Sequence, residues 1–191
     1  MRSRGFTIIE LIVVITIIAI LLTLSTIQLS KNQANARDTK RGADISTIAR
    51  GLEIRYKEGN PMITSPSYVA PGSYPGVNEM LHATGQSNAT FTPTQISDGY
   101  VSDDFPGTTP QNFTPPNADS TFQGFNVSCA SSCGAALPDS SMDSLVTPDT
   151  YYYQPVDASG NVCMQGNCVR FELFWRSEVD DTLYKIGSQH Q

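Results

Sequence analysis

The feature that most constrains this 191-residue chain is an unbroken apolar segment near its N-terminus. Between Phe6 and Leu29 the only ionisable side chain is that of Glu10, and no Pro or Gly interrupts the segment. From Leu11 to Ser30 twenty uncharged residues follow one another. At ~1.5 Å per residue, a helix of that length covers ~30 Å, the thickness of one bilayer core. The segment therefore predicts a membrane-spanning helix.

The residues that flank this segment indicate its orientation and leave alternatives open. Arg2 and Arg4 precede it, which predicts a cytoplasmic N-terminus with the remainder of the chain outside. A cleaved secretory signal with Ala34-Asn35-Ala36 as its cleavage site has a comparable layout, but the apolar region of such a signal usually has only ~7–15 residues. A plain signal anchor fits the length and leaves Glu10 unexplained. A charge in the membrane costs at least ~2.5 kcal/mol, so Glu10 is expected to have a function and a partner.

The helix is predicted to continue beyond the membrane. No helix breaker follows until Gly59-Asn60-Pro61, so we expect one helix from Phe6 to about Glu58. Its second half carries apolar residues at helical spacing on one face: Ile45, Ile48, Ala49, Leu52 and Tyr56. Three oppositely charged pairs stand at i, i+3 or i, i+4: Asp38 with Arg41, Lys40 with Asp44, and Glu53 with Lys57. This half is predicted to pack one face against a globular head.

Charge divides the chain in the same way as hydrophobicity. Residues 1–57 contain nine of the twelve basic side chains and four acidic ones, a net charge of +5. The remaining residues contain three bases and fourteen acids, a net charge of −11, and no Lys or Arg occurs from Glu58 to Val169. An acidic head repels phosphates, so no nucleic-acid partner is expected.

The head is predicted to combine loops with a small antiparallel sheet. Residues 59–149 are rich in Ser, Thr, Pro, Gly and Asn, with one short helix expected over Pro75 to Ala83. Residues 150–188 carry the clearest strand signals, with strands over Thr150 to Val156, Cys168 to Ser177 and Thr182 to Gly187. In the middle strand the charged residues Arg170, Glu172 and Arg176 are predicted to face outward, and Phe174 is the apolar exception on that face. The predicted fold class is α+β: a long helix packed on a small antiparallel sheet with long loops.

The four cysteines form two close pairs, Cys129 with Cys133 and Cys163 with Cys168. A head outside the cytoplasm favours disulfides, and two local bonds are the preferred one of three connectivities. Four cysteines in two pairs are also a ligand set for zinc, which the spacings and the compartment disfavour. No metal, cofactor or catalytic group is expected, because no phosphate-binding loop or nucleophile–base pair is evident. The acidic pairs Asp103-Asp104, Asp139/Asp143 and Asp180-Asp181 are interpreted as solvated turns rather than calcium ligands.

The junction between the basic leader and the apolar segment carries a recognisable motif. Arg4-Gly5-Phe6-Thr7-Ile8-Ile9-Glu10-Leu11 resembles the class III signal of type IV pilins and pseudopilins, in their type IVa-like form. The resemblance implies that a prepilin peptidase cleaves between Gly5 and Phe6, and that Phe6 becomes the N-methylated terminus. It also implies that Glu10 acts in subunit assembly. The leader is then residues 1–5, the filament-core helix 6–30, the amphipathic helix 31–58 and the head 59–191.

The resemblance implies a structural protein rather than an enzyme. A precursor in the inner membrane would be assembled with other pilin subunits into an extracellular pilus for adhesion or motility, by an assembly platform and an ATPase. A minor pilin and a type II secretion pseudopilin share the same helix and remain alternatives. A membrane-anchored binding domain that does not polymerise is the alternative of another class. The family's helix often contains Gly and Pro, whereas residues 16–28 contain neither, which predicts a continuous helix.

Overall fold

The long helix organises the whole molecule. The computed structural model describes residues 7–59, 71–83, 105–118, 124–127, 134–164 and 168–190. Helix α1 runs without a break over Ile8–Glu58, 51 residues or ~77 Å, as the sequence predicts, including the stretch without Gly or Pro. Thr7 caps its start, and at its end the amide of Gly59 donates to the carbonyl oxygen of Arg55 at 2.8 Å.

The head contains a four-stranded sheet in the spatial order β1-β2-β3-β4, over Phe125–Val127, Tyr151–Val156, Arg170–Arg176 and Leu183–Gly187. The last three strands are antiparallel neighbours, as the sequence predicts. The first strand pairs parallel to β2, with Asn126 opposite Tyr152, so the sheet is mixed and not antiparallel throughout. A three-residue strand is too short for its alternation to be recognised in the sequence, and parallel pairing is set by the crossover that follows it.

The second half of α1 packs on one face of this sheet. Ile45, Ile48 and Leu52 have no solvent exposure, and Ala49 is buried beside them, which confirms the predicted apolar stripe. Phe171 and Leu173 of β3 belong to the same buried cluster. Helix α2, Val77–Ala83, confirms the predicted short helix, and a 3₁₀ helix over Pro110–Phe113 adds further contacts with α1.

A second short helix covers the opposite face of the sheet. Helix α3, Asp139–Leu145, and the residue that follows it bury Met142 and Val146 against Phe174. Arg176, predicted to face outward, is also buried there, and its Nε donates to the carbonyl oxygen of Val146 at 2.7 Å. Phe174 therefore breaks the alternation of β3 because both faces of this strand are covered.

Candidate assembly helix and its anchorage

The first half of α1 presents an apolar surface that the head does not cover. An 18-residue window has a mean hydropathy of 2.8, and none of it is buried. Its large apolar side chains range from 47% exposed at Val14 to 78% at Ile8. The corresponding helix of a soluble domain would be buried in a core. This surface therefore requires lipid or other helices around it.

The polar side chains within this half bond to their own helix. The hydroxyls of Thr16, Thr23 and Ser25 donate to the carbonyl oxygens of Val13, Ile20 and Leu21 at 2.7–2.9 Å. Backbone groups in a bilayer must be satisfied internally, and these hydroxyls find acceptors without a partner chain. The segment is consequently compatible with lipid despite its Thr and Ser content.

Glu10 closes a capping box with Thr7 at the start of α1. The amide and the hydroxyl of Thr7 donate to Oε2 of Glu10 at 2.9 and 2.8 Å, and the amide of Glu10 donates to the Thr7 hydroxyl at 3.3 Å. The Thr-x-x-Glu spacing carries this signal in the sequence. The predicted role of Glu10 in subunit assembly did not include this cap, and Thr7 was not among the predicted site residues. Among the hydrogen bonds of the described residues, those to the Glu10 carboxylate are accepted by Oε2 and none by Oε1. Gly5 and Phe6 lie outside the described residues, so cleavage and methylation stay predictions.

The polar half of α1 is fastened to the head at a first anchor around Asp38 and Arg41. The Asp38 carboxylate accepts from the hydroxyl of Ser177 at 2.6 Å and from the amides of Glu178 and Val179 at 2.9 and 3.2 Å. Desolvation opposes ionisation of Asp38, but these donors and Arg41 outweigh it and lower the pKa of the carboxyl. The turn after β3 is thus held to the helix.

Arg41 joins this anchor from a fully buried position. It pairs with Asp38 at 2.5 Å, which confirms one predicted helical pair, and with Glu178 at 3.2 Å. Glu178 is also bound by Arg37, whose Nε donates to it at 2.8 Å. Hydrogen bonding from Arg37 and then Arg41 lowers the pKa of Glu178, with desolvation opposing it.

The carboxylate of Asp44 also links α1 to the head. Asp44 pairs with Lys40 at 2.5 Å, as predicted, and also accepts from the hydroxyl of Tyr151 at 3.1 Å and from Asn112 at 3.0 Å. Burial, with the nearby Asp44 charge, raises the pKa of Tyr151 above its ordinary value. This hydroxyl therefore acts as a donor at physiological pH.

Glu53 forms a second anchor with the end of the chain. Its carboxylate accepts from the Tyr74 hydroxyl at 2.9 Å and from the Gln189 amide at 2.8 Å, and it lies 3.0 Å from Nδ1 of His190. The His190 ring stacks on Tyr56 at 4.2 Å. The predicted pair of Glu53 with Lys57 is wrong. A buried carboxylate requires several fixed donors, which the head supplies and an exposed lysine does not.

The cysteine and aspartate predictions have mixed outcomes. Cys163 and Cys168 form the predicted local disulfide, with their Cα atoms 5.6 Å apart. Cys129 and Cys133 lie outside the described residues, as do Asp103 and Asp104.

Residues of the other predicted acidic pairs form ion pairs with basic residues of the head. Asp139 pairs with Lys185, and Asp143 and Asp181 pair with Arg176. Among the described residues, no three His, Cys, Asp or Glu side chains are grouped as metal ligands.

Comparison with known proteins identifies a family motif at the start of the chain, over the leader and much of the apolar half of α1. Residues 1–26 match the family described as the prokaryotic N-terminal methylation motif. This is the class III prepilin signal of type IV pilins and pseudopilins, and it confirms the resemblance of the leader and the first turns of α1. Neither the curated proteins nor the solved structures contain a match to the chain. The long helix with a small mixed sheet is a pilin-like α+β architecture.

Proposed function

We propose that this protein is a structural subunit of a type IV pilus filament. A prepilin peptidase cleaves its precursor in the cytoplasmic membrane, and an assembly platform with an ATPase then builds the filament for adhesion or motility at the cell surface. The observation that carries the proposal is the uncovered apolar half of α1, most of which lies within the methylation motif matched at residues 1–26. The other half of the same helix is packed against the head, so one helix has two different environments.

The apolar surface by itself does not extract the subunit from the membrane. Lipid tails are as apolar as the helices of a filament, so transfer between the two environments has little hydrophobic driving force. Work from the ATPase and specific polar contacts must therefore provide the direction. Glu10 is the only acidic residue of the apolar half and is the natural source of such a contact.

Cleavage after Gly5 would create the complementary charge. The amine of Phe6 would lie at the positive end of the α1 dipole, which is unfavourable inside an apolar bundle. The Oε1 atom of Glu10, unoccupied among the described contacts, is available to the Phe6 amine of a neighbouring subunit. Methylation leaves that amine protonated, so the ion pair between two subunits neutralises both charges and sets their axial register.

Mass spectrometry of sheared surface filaments tests the proposal. We expect a dominant chain that begins at N-methyl Phe6. A trace amount of this chain in filaments of another protein indicates a minor pilin or a pseudopilin. A protein that begins at Met1 or after Ala36, and that never sediments with filaments, contradicts the proposal and indicates a membrane-anchored binding domain.

A pair of variants separates assembly from helix capping. Glu10→Ala removes both the carboxylate and the capping box, whereas Thr7→Ala removes the capping box and keeps the carboxylate. We expect Glu10→Ala subunits to be cleaved and membrane-bound but absent from filaments, and Thr7→Ala subunits to be incorporated. Loss of one cap costs only ~1 kcal/mol of helix stability. Normal filaments from Glu10→Ala cells, or equal defects in both variants, contradict the assigned role of Glu10.

A further inference from the structure

A groove of about 430 Å³ runs between the second half of α1 and the edge strand β4. Residues at helical spacing line its α1 side, and the end of β4 with the residues after it lines the other side. Its principal lining residues are Ala49, Arg50, Ile54, Lys57, Ile186 and Gln189. Ala49 also belongs to the face of α1 that packs on the sheet, so the groove lies at the border of that face.

The groove is basic with apolar walls. Arg50 and Lys57 are exposed, and neither forms an ion pair within the part of the chain that the structure describes. Glu53 also lines the groove and reduces the formal charge of its lining to +1, while Tyr74, Gln189 and His190 occupy its carboxylate oxygens. Ile54 and Ile186 provide the apolar contact. A ligand for this groove therefore combines carboxylates with apolar or uncharged side chains.

We infer that the groove binds the head of a second copy of this protein, through the segment of that head that lacks basic residues. From Glu58 to Val169 the chain contains no Lys or Arg, so whatever part of this segment meets the groove is acidic or uncharged. The inference rests on the proposed function, because stacking of the apolar halves of α1 brings heads of neighbouring copies side by side. The basic flank of one α1 then faces an acidic head.

Charge complementarity favours a second copy over a nucleic acid. Two cations between apolar walls provide few phosphate contacts, and the net charge of −11 on residues 58–191 repels a polyanion. The same distribution suits self-assembly, since the bases are concentrated in residues 1–57 and the acids in the remainder. Complementary patches of this kind determine orientation and partner choice more than affinity.

Charge reversal in the full-length protein tests the inference. The double variant Arg50→Glu/Lys57→Glu replaces two attractive contacts with repulsive ones, and we expect about tenfold less sheared filament per cell. Arg170→Glu is the matched control, because Arg170 is an exposed base without a described ion pair that lies outside the groove. The control should assemble like the wild type. Equal amounts of filament from the double variant and the wild type overturn the inference.

A photo-cross-linking residue in place of Ile54 identifies the occupant without altering any charge. Trypsin cleaves after Lys and Arg, so it releases residues 51–55 as one peptide and residues 58–170 as one fragment. We expect covalent dimers from intact filaments in which the first peptide is joined to the second fragment. Dimers joined at residues 6–57 or 171–191, adducts with a different protein or the absence of dimers overturn the inference.

The two arms also separate this inference from the proposed function. If wild-type filaments do not contain this chain, the proposed function fails before the groove is tested. If filaments contain it and the double variant assembles normally without cross-linked dimers, only the inference about the groove fails. Cleavage, membrane insertion and the Cys163–Cys168 disulfide of the double variant verify that it is processed and folded.

Discussion

The guanidinium of Arg41 donates through Nε to the carbonyl oxygen of Pro148 at 2.7 Å, and this bond joins the long helix to a residue 107 positions later. Arg41 has no solvent exposure, so its charge must be satisfied by the protein. Asp38 and Glu178 provide the two carboxylates. One buried side chain therefore links α1 with two separate loops of the head.

Replacement of Arg41 is expected to destabilise the head. Arg41→Ala removes the donor to Pro148 and one partner of a buried charge pair, and such changes cost about 3–5 kcal/mol. Arg37→Ala is the control, since Arg37 binds the same Glu178 from a position that is 31% exposed, where solvent weakens the ion pair, and its loss should be much smaller. Urea unfolding of the full chain in detergent measures both free energies. Similar losses in the two variants would show that burial of Arg41 has no energetic consequence.

The anchor at Asp38 is expected to make stability depend on acid pH. The folded pKa of Asp38 is lowered, so its contribution is complete above the unfolded pKa of about 3.9 and disappears as the pH falls through the folded pKa. Glu178 acts in the same direction from an unfolded pKa of about 4.3. Thermal unfolding between pH 7 and pH 2 should show stability falling below about pH 4. Asp38→Asn should be less stable at pH 7 and less sensitive to acid, and an unchanged acid dependence would argue against this role.

The disulfide is expected to contribute measurable stability to the head. Cys163 and Cys168 close a short loop, for which chain entropy predicts about 2 kcal/mol. The same loop holds the segment before α2, since the amides of Tyr74 and Val77 donate to the carbonyl oxygens of Cys168 and Cys163. The double variant Cys163→Ser/Cys168→Ser should lose about this much free energy of unfolding in urea. Unchanged unfolding of that variant would show that the bond is dispensable.

Gly124 is expected to tolerate no side chain. Its φ is +87°, and a Cβ there would overlap the carbonyl oxygen of Asp149. This overlap lies next to the hydrogen bond that the amide of Tyr151 donates to the carbonyl oxygen of Gly124. Gly124→Ala should cost about 2–4 kcal/mol from backbone strain and this overlap. Gly160→Ala is the matched control, with φ of +84° and no atom near the added Cβ, and it should cost only about 1–2 kcal/mol. Thermal unfolding of the two variants compares them, and equal losses would exclude the overlap as a cause.

Most of the architecture was predictable because its signals are local. Patterns among residues two to four positions apart predicted three features. These are the continuity and the end of α1, the stripe from Ile45 to Leu52 and the three antiparallel strands. The Thr7–Glu10 capping box was not predicted, although its signal, a spacing of three, is equally local. The parallel strand β1 was not predictable, because three residues carry no recognisable period.

The polar contacts of α1 show the same distinction: partners close in the sequence were predicted, and distant partners were not. Asp38 with Arg41 and Lys40 with Asp44 are pairs within one helix, and both predictions were correct. Glu53 was wrongly paired with Lys57, because its true partners come from residues 74, 189 and 190. Burial selects the partners of a carboxylate, and burial is a property of the assembled head.

The sequence by itself determined that this chain has a membrane-compatible helix with a prepilin signal, a continuous second half and an acidic head with antiparallel strands. These features depend on composition and on periods of two and 3.6 residues, which are written along the chain. Only the tertiary structure decided that α3 covers Phe174 and Arg176, that Arg41 reaches Pro148, and that a basic groove opens beside β4. Such contacts join residues tens of positions apart, and the free energy that selects them exists only when the head is packed.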